Sequence, residues 1–406
     1  MKLRILLELV TLVKHMSRDL KIMAVSLFTW GVGEGMFLIF LSITLEKWGA
    51  NPIEIGGIFG GMAIAMAVVQ APAGYLGDRM GSRPVMWASW ILGTAATVIM
   101  ALSNSLALFI VGMLMYGLTS FVVAPMNSYL TTVRGKLSVE RALTITMAMF
   151  FLGSVAGSLL GGTIGDALGL QTIYRISAII FLASTIIVLQ AHHQPTEEHG
   201  ELHTTQPNLA RNPRFVGLLA LICITMFALN LPQSLTPNYL QNEKGFSLQT
   251  IGQMGAAGSL GNALLMLGLG HLSAPAGFMA GQVLVGLFAF LMWRGEGTAL
   301  FFAGYFLLGG YRLSRSMVLA YSRAFVKANE IGFAYGLVET GNAFSAILAP
   351  MAAGLLYTRN PQLMYISSLA ATGFVLVVNA ILLPKPHKSK QATAQANLPI
   401  GESDAS

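Results

Sequence analysis

Apolar residues in this chain gather into twelve blocks, separated by short stretches in which charged residues, Gly, Pro and Asn collect. The blocks cover residues 20–45, 53–76, 84–103, 106–132, 140–165 and 173–190, then 215–240, 247–270, 277–294, 298–322, 330–357 and 361–383. Each is long enough to cross about 30 Å of hydrocarbon as a helix. A helix satisfies its own backbone hydrogen bonds, which lipid cannot do, so the spanning elements are expected to be helical. The pattern predicts an all-α integral membrane protein with 12 transmembrane helices in two pseudo-symmetric six-helix halves.

The longest polar interruption, residues 191–213, falls between the sixth and seventh blocks. It divides the chain into an N-terminal half over 20–190 and a C-terminal half over 214–383. Residues 1–19 have charges interrupting an apolar stretch and no small-residue cleavage site, so they read as an amphipathic cytoplasmic segment rather than a cleaved leader. Residues 384–406 read as a disordered cytoplasmic tail. The linker holds His192, His193, His199 and His203 with Glu197 and Glu198. No fixed helical spacing relates them, and a solvated linker is expected rather than a metal site.

The halves repeat. An offset of 196 aligns Gly49 with Gly245, Ile55 with Ile251, Gly56 with Gly252, Gly74 with Gly270, Leu76 with Leu272 and Gly81 with Gly277. Further on, an offset of 192 pairs Gly112 with Gly304, Gly117 with Gly309 and Tyr129 with Tyr321. A four-residue deletion near the ninth block reconciles the two.

Composition agrees with the pattern: 54% of residues are hydrophobic and 10% charged, where soluble domains carry roughly a quarter charged. The 44 glycines suit helices that approach closely in lipid. The net charge of +7 would suggest nucleic acid in a soluble protein, but its placement indicates otherwise. With the N-terminus inside, 17 of the 24 Lys and Arg fall on cytoplasmic ends and loops, and the outer loops hold only Lys47, Arg175, Lys244, Arg294 and Arg359. That is the positive-inside asymmetry, so both termini are expected in the cytoplasm and membrane lipid, not nucleic acid, as the neighbour. The lone Cys223 excludes a disulfide framework and a cysteine metal cluster.

Between the second and third blocks lies GYLGDRMGSRP, Gly74 to Pro84, with three charges in a short turn. Gly74, Leu76, Asp78, Arg79, Gly81 and Arg83 resemble the loop motif of the major facilitator superfamily at the expected spacing. The likeness covers residues 20–383, and it implies secondary transport without enzymatic chemistry or cofactor, along a path between the halves. It further implies that Gly74, Asp78, Arg79, Gly81 and Arg83 form a cytoplasmic latch. The second copy, GHLSAPAG, has Ala274 and Pro275 in place of Asp78 and Arg79, so the latch is expected on one side only. In the fifth block Gly153, Gly157, Gly161 and Gly162 resemble most of a glycine pattern of exporters in this superfamily. Ser158 stands where that pattern has proline, and Thr144 replaces its first glycine.

Ionisable residues inside lipid are functional candidates, because each costs about 3 kcal/mol on insertion scales. Glu34 lies in the first block, Arg312 and Arg315 in the tenth, and Glu339 in the eleventh. Antiparallel neighbours turning near residue 326 put Arg312 level with about residue 341 and Arg315 with about residue 338. An ion pair or triad with Glu339 is expected, leaving an arginine for an anionic substrate or for a proton-dependent rearrangement. Glu34 has no evident basic residue at its level, and an unpaired carboxyl in a low-dielectric cavity can exchange a proton near neutral pH. It is the candidate for proton coupling or cation binding. Its repeat equivalent is Asn230, and Trp30, Gln70, Asn127, Gln233, Tyr335 and Asn342 are further candidates to line a cavity.

The function expected is secondary transport of a small organic solute, with export in exchange for protons as the first reading. Uniport, or proton symport of an anionic metabolite, is the alternative. A non-transporting receptor is the reading from a different class. An ATP-driven pump is disfavoured because no G-x-x-x-x-G-K-[ST] occurs.

Overall fold

A computed structural model of the chain describes residues 15–192, 213–323, 326 and 331–382. The first fourteen residues, the linker over 193–212 with His193, His199, His203, Glu197 and Glu198, and the tail from residue 383 lie outside the described residues.

The described residues form twelve helical rods. In the first half α1 is Arg18–Lys47, α2 Pro52–Met80, α3 Ser82–Leu102, α4 Leu106–Thr132, α5 Val139–Leu168 and α6 Leu170–Val188. In the second, α7 is Pro213–Asn230 resumed as Thr236–Asn242, α8 Leu248–Leu269 and α9 Ala274–Arg294. Then come α10, Thr298–Leu307 resumed as Gly310–Ser322, α11, Ile331–Arg359, and α12, Leu363–Leu382. Eight of them, α1 to α6 with α9 and α12, are long and apolar enough to cross a membrane. The repeat counterparts of the other four, α1, α2, α4 and α5, all meet that standard.

Helix starts follow the repeat. Asn51 caps α2, its Oδ1 accepting from the N–H groups of Ile53 and Glu54 at 3.0 Å. At the equivalent position Ser247 caps α8, accepting from Thr250 N–H at 3.2 Å. The glycines just before, Gly49 and Gly245, both have positive φ, 94° and 71°, which an L side chain resists.

Four rods are broken, at places the repeat also matches. α1 tightens into a 3-10 turn at Leu38–Phe40, and α4 does so at Thr119–Val122. α7 stops after Asn230, next to Pro232, which has no N–H to donate. α10 breaks at Leu308 and Gly309. The apolar blocks give no sign of these breaks, because a bent helix and a straight one bury the same residues.

The loop motif differs from the tight turn expected of it. α2 stays helical through Gly74 and Asp78 to Met80, and the reversal is concentrated at Gly81, whose φ is 82°. The side chain of Asp78 lies outside the described residues.

Glycines set the closest contacts. A methyl group built on Gly157 of α5 would collide with the Val32 carbonyl oxygen of α1. Between the halves, the backbone of α2 at Gly56 meets α11 at Pro350, and α8 at Gly252 meets α5 at Ser158. These two contacts are repeat images of each other. Gly162 likewise packs on Leu248 and Gln249 of α8, while Gly354 of α11 packs on Pro52 and Ile53 of α2.

Candidate functional site

The halves are sealed at one end, the end that carries the α1–α2 and α7–α8 connections. Glu46 at the foot of α1 accepts from the side-chain amides of Asn238 and Asn242 on α7, the latter at 2.8 Å. Asn238 also donates to the Ser42 carbonyl at 3.2 Å. Asp166, at the end of α5, receives the N–H groups of Leu248 and Gln249 on its two carboxylate oxygens, each at 2.9 Å. A carboxylate of one half thus caps the first turn of α8 in the other, where the helix dipole favours negative charge.

Behind this seal lies a cavity of 370 Å³ shared by both halves. Its walls include Gly35, Ser42, Ser154 and Ser158 from the first half, and Asn230, Gln233, Ser259, Asn262 and Tyr305 from the second. The breaks in α1, α7 and α10 fall on this wall, at Leu38, Ser234 and Leu308. Ser154 and Ser259 are 2.9 Å apart across the junction of α5 and α8. The walls are therefore a mixture of hydroxyl and amide groups on an apolar frame.

Glu34 is not unpaired. Its Oε2 accepts from Tyr116 Oη of α4 at 2.5 Å and from Trp30 Nε1 at 3.2 Å. Trp30 is wedged against Phe181 and Trp90, with ring centroids 4.3 and 5.0 Å away. Tyr116 and Phe37 meet edge to face at 5.2 Å. The carboxylate thus sits at the rim of an aromatic cluster inside the first half, one residue from Gly35 of the cavity wall.

In the second half, Arg315 and Glu339 form an ion pair at 2.7 Å, joining α10 to α11. Arg312 stays outside it. Its guanidinium lies over the Phe151 ring of α5, 5.4 Å from the centroid, so it reaches the opposite half. The Glu34 carboxylate and the Arg312 guanidinium are close enough to attract each other electrostatically. The expectation that no basic residue stands near the level of Glu34 thus needs correction. The two come from rods that height arithmetic within one hairpin does not compare.

The remaining candidates scatter. Asn230 and Gln233 line the cavity, Asn230 donating to Tyr311 Oη at 3.1 Å and Gln233 to the Leu229 carbonyl at 2.8 Å. Trp30 is not on this wall and donates to Glu34 instead. Gln70, Asn127, Tyr335 and Asn342 do not line this cavity: Gln70 is exposed, Asn127 and Tyr335 are half-buried, and Asn342 is buried with neither amide atom partnered among the described residues. Of the loop motif, Arg79 is exposed at the end of α2, and Arg83 stacks its guanidinium on Trp87 at 3.9 Å.

Sequence reasoning missed Tyr116, Ser154, Ser259, Asn262, Asp166 and the Glu46 contacts. One signal was available for the last. Ser42 and Glu46 are the repeat equivalents of Asn238 and Asn242, so the seal joins residues to their own copies.

Comparison with known proteins agrees with this architecture. The Major Facilitator Superfamily model matches residues 23–279. The tetracycline resistance protein, class B, of Escherichia coli is 23% identical over 93% of this chain and 100% of that protein. The uncharacterized MFS-type transporter MJ1560 of Methanocaldococcus jannaschii is 24% identical over 42% of this chain, a match spanning only 45% of that protein's length. Among solved structures, a point mutant of the nucleoside transporter NupG superposes with a TM-score of 0.79 at 15% identity, over 90% of this chain and 100% of the other. With the family model covering more than half of the chain and the fold agreeing across both halves, the chain belongs to the major facilitator superfamily.

Proposed function

We propose that this chain carries a small organic anion together with a proton across the plasma membrane, by exposing one cavity alternately to the two sides. The observation that carries the reading is the placement of Arg312, outside the ion pair, over Phe151 of the opposite half and in the field of Glu34. An anion at Arg312 competes with the Glu34 carboxylate for the guanidinium. A proton on Glu34 removes that competition, so anion and proton bind together, which is the requirement for moving them together.

The distribution of Lys and Arg supports both termini in the cytoplasm, and on that reading the seal at Glu46 and Asp166 faces outward. Gly74, Asp78, Arg79, Gly81 and Arg83 then stand on the cytoplasmic side as the opposing gate. The division into an N-terminal segment, two six-helix halves, a linker and a tail belongs to the same reading. The rocking motion has its contact points at Gly56 on Pro350 and Gly252 on Ser158.

Export in exchange for protons is the second reading, favoured by the full-length likeness to a tetracycline resistance protein. The two differ in sign. Proteoliposomes loaded with a pH-sensitive dye and given external gluconate or benzenesulfonate should acidify inside under the first reading. They should do so less, or not at all, with Glu34→Gln. Interior alkalinisation on solute uptake would reverse the coupling in favour of exchange, and unchanged acidification in Glu34→Gln would remove Glu34 from the coupling role.

A further inference from the structure

A second space opens between α5 and α8. Near the seal these helices touch at Gly162 on Leu248 and at Ser158 on Gly252. Beyond the Ser154–Ser259 contact they part, leaving a cleft of 510 Å³. Thr144, Ser259 and Asn262 are the only polar residues on its wall; the rest is Leu, Met, Val, Ala and Phe151. Leu152 on one lip and Leu264 and Leu267 on the other are exposed, 53%, 53% and 73%. On a rod embedded in lipid, such side chains face the acyl chains.

Two features connect this cleft to the cavity between the halves. Ser259 and Asn262 line both spaces, so the apolar cleft and the polar cavity meet along α8. Phe151, part of the cleft wall, carries the Arg312 guanidinium on its ring. An apolar trough therefore leads to a single cation held in no salt bridge among the described residues. A hydrophilic solute has no use for the trough, and a neutral hydrocarbon has none for the arginine.

We propose that the α5–α8 cleft is a lateral entrance and chain-binding site for a single-chain amphiphile with one carboxylate head, which seats its chain between the two helices and its head at Arg312. The chain exchanges lipid contacts for the Leu and Met wall. The head meets a guanidinium whose planar fork matches a carboxylate. The proposal rests on the anion reading of the transport function and narrows its substrate class.

The test uses full-length protein in phosphatidylcholine nanodiscs, with empty nanodiscs as the background to subtract. Radiolabelled dodecanoate should bind at one site per chain and be displaced by unlabelled dodecanoate. Dodecyltrimethylammonium, with the same chain and opposite charge, should displace it at least tenfold less well. Arg312→Gln should weaken dodecanoate at least tenfold. Ala148→Trp, which fills the cleft, should do the same, and Leu267→Trp serves if that variant fails to fold.

Equal displacement by the cationic amphiphile, or wild-type binding in a folded cleft-filling variant, would overturn the site. Dodecanoate binding without anion-driven acidification would strike the transport reading and leave the site standing. Gluconate-driven acidification without dodecanoate binding would do the reverse.

Discussion

Replacing Asp166 with alanine is expected to shift the balance between the sealed and the opened arrangement by about tenfold. The Asp166 carboxylate receives the N–H groups of Leu248 and Gln249 at 2.9 Å each, and it belongs to the opposite half, so these bonds exist only while the seal is closed. A side-chain cap is worth about 1 kcal/mol. Negative charge beside a helix N-terminus adds about 0.5 kcal/mol, discounted because Asp166 is exposed. The total, about 1.5 kcal/mol, is slightly more than a factor of ten in the ratio of the two populations. Spin labels on Leu168→Cys and Glu243→Cys, in a Cys223→Ser background, would read the separation of α5 and α7 at that end by pulsed dipolar spectroscopy. The long-distance fraction should rise about tenfold relative to the short one in Asp166→Ala, and less in Asp166→Asn, which keeps one acceptor oxygen. An unchanged distance distribution in folded Asp166→Ala protein would refute the cap as part of the seal.

Three further outcomes follow from the packing. Gly157→Ala should lower the melting temperature measurably, by about 1–3 kcal/mol of overpacking, because its methyl would press on the Val32 carbonyl, whereas Gly268→Ala, with nothing within 4 Å, should melt like the parent. A double-mutant cycle of Arg315→Gln and Glu339→Gln, read by chemical denaturation, should give a coupling of about 1 kcal/mol or less, since the pair is partly solvent-accessible at 45% and 31%; additive single effects would show the pair to be energetically idle. Ser154→Cys with Ser259→Cys, again in the Cys223→Ser background, should crosslink under mild oxidation and stop solute flux until reduced, because the two hydroxyl oxygens are 2.9 Å apart across the halves.

The sequence pattern carried the rods, the repeat and the Arg315–Glu339 pair. Twelve apolar blocks appear as twelve rods because hydrocarbon thickness sets a length that composition records directly. The Arg315–Glu339 pair was legible because both residues lie in one hairpin, where counting from the turn gives relative height. Counting fails between hairpins, and so the proximity of Glu34 and Arg312 was missed. The donors to Glu34 were missed for a related reason. Trp30 is one turn away and visible in principle, but Tyr116 sits on α4, 82 positions along, in a block that reads as featureless. The breaks in α1, α4, α7 and α10 leave no trace in hydropathy, although Pro232 marked one of them. Asp166 was overlooked because it stands at a helix end, where a charge looks like ordinary solvation until the neighbouring half is docked against it.

The joining of Glu46 to Asn238 and Asn242 bears on how such a chain can arise from a duplicated half. Each of these residues faces its own copy across the pseudo-axis, Ser42 against Asn238 and Glu46 against Asn242. A homodimer of two first halves would set Glu46 against Glu46, and repulsion between the like charges would oppose closure. A homodimer of two second halves would set Asn242 against Asn242, and amides can pair with each other without charge. The closure at this end of the chain therefore depends on the halves having diverged at Glu46 and Asn242, with a carboxylate on one side and an amide on the other. Glu46→Asn restores the symmetric neutral arrangement and would test how much of that divergence the closure requires.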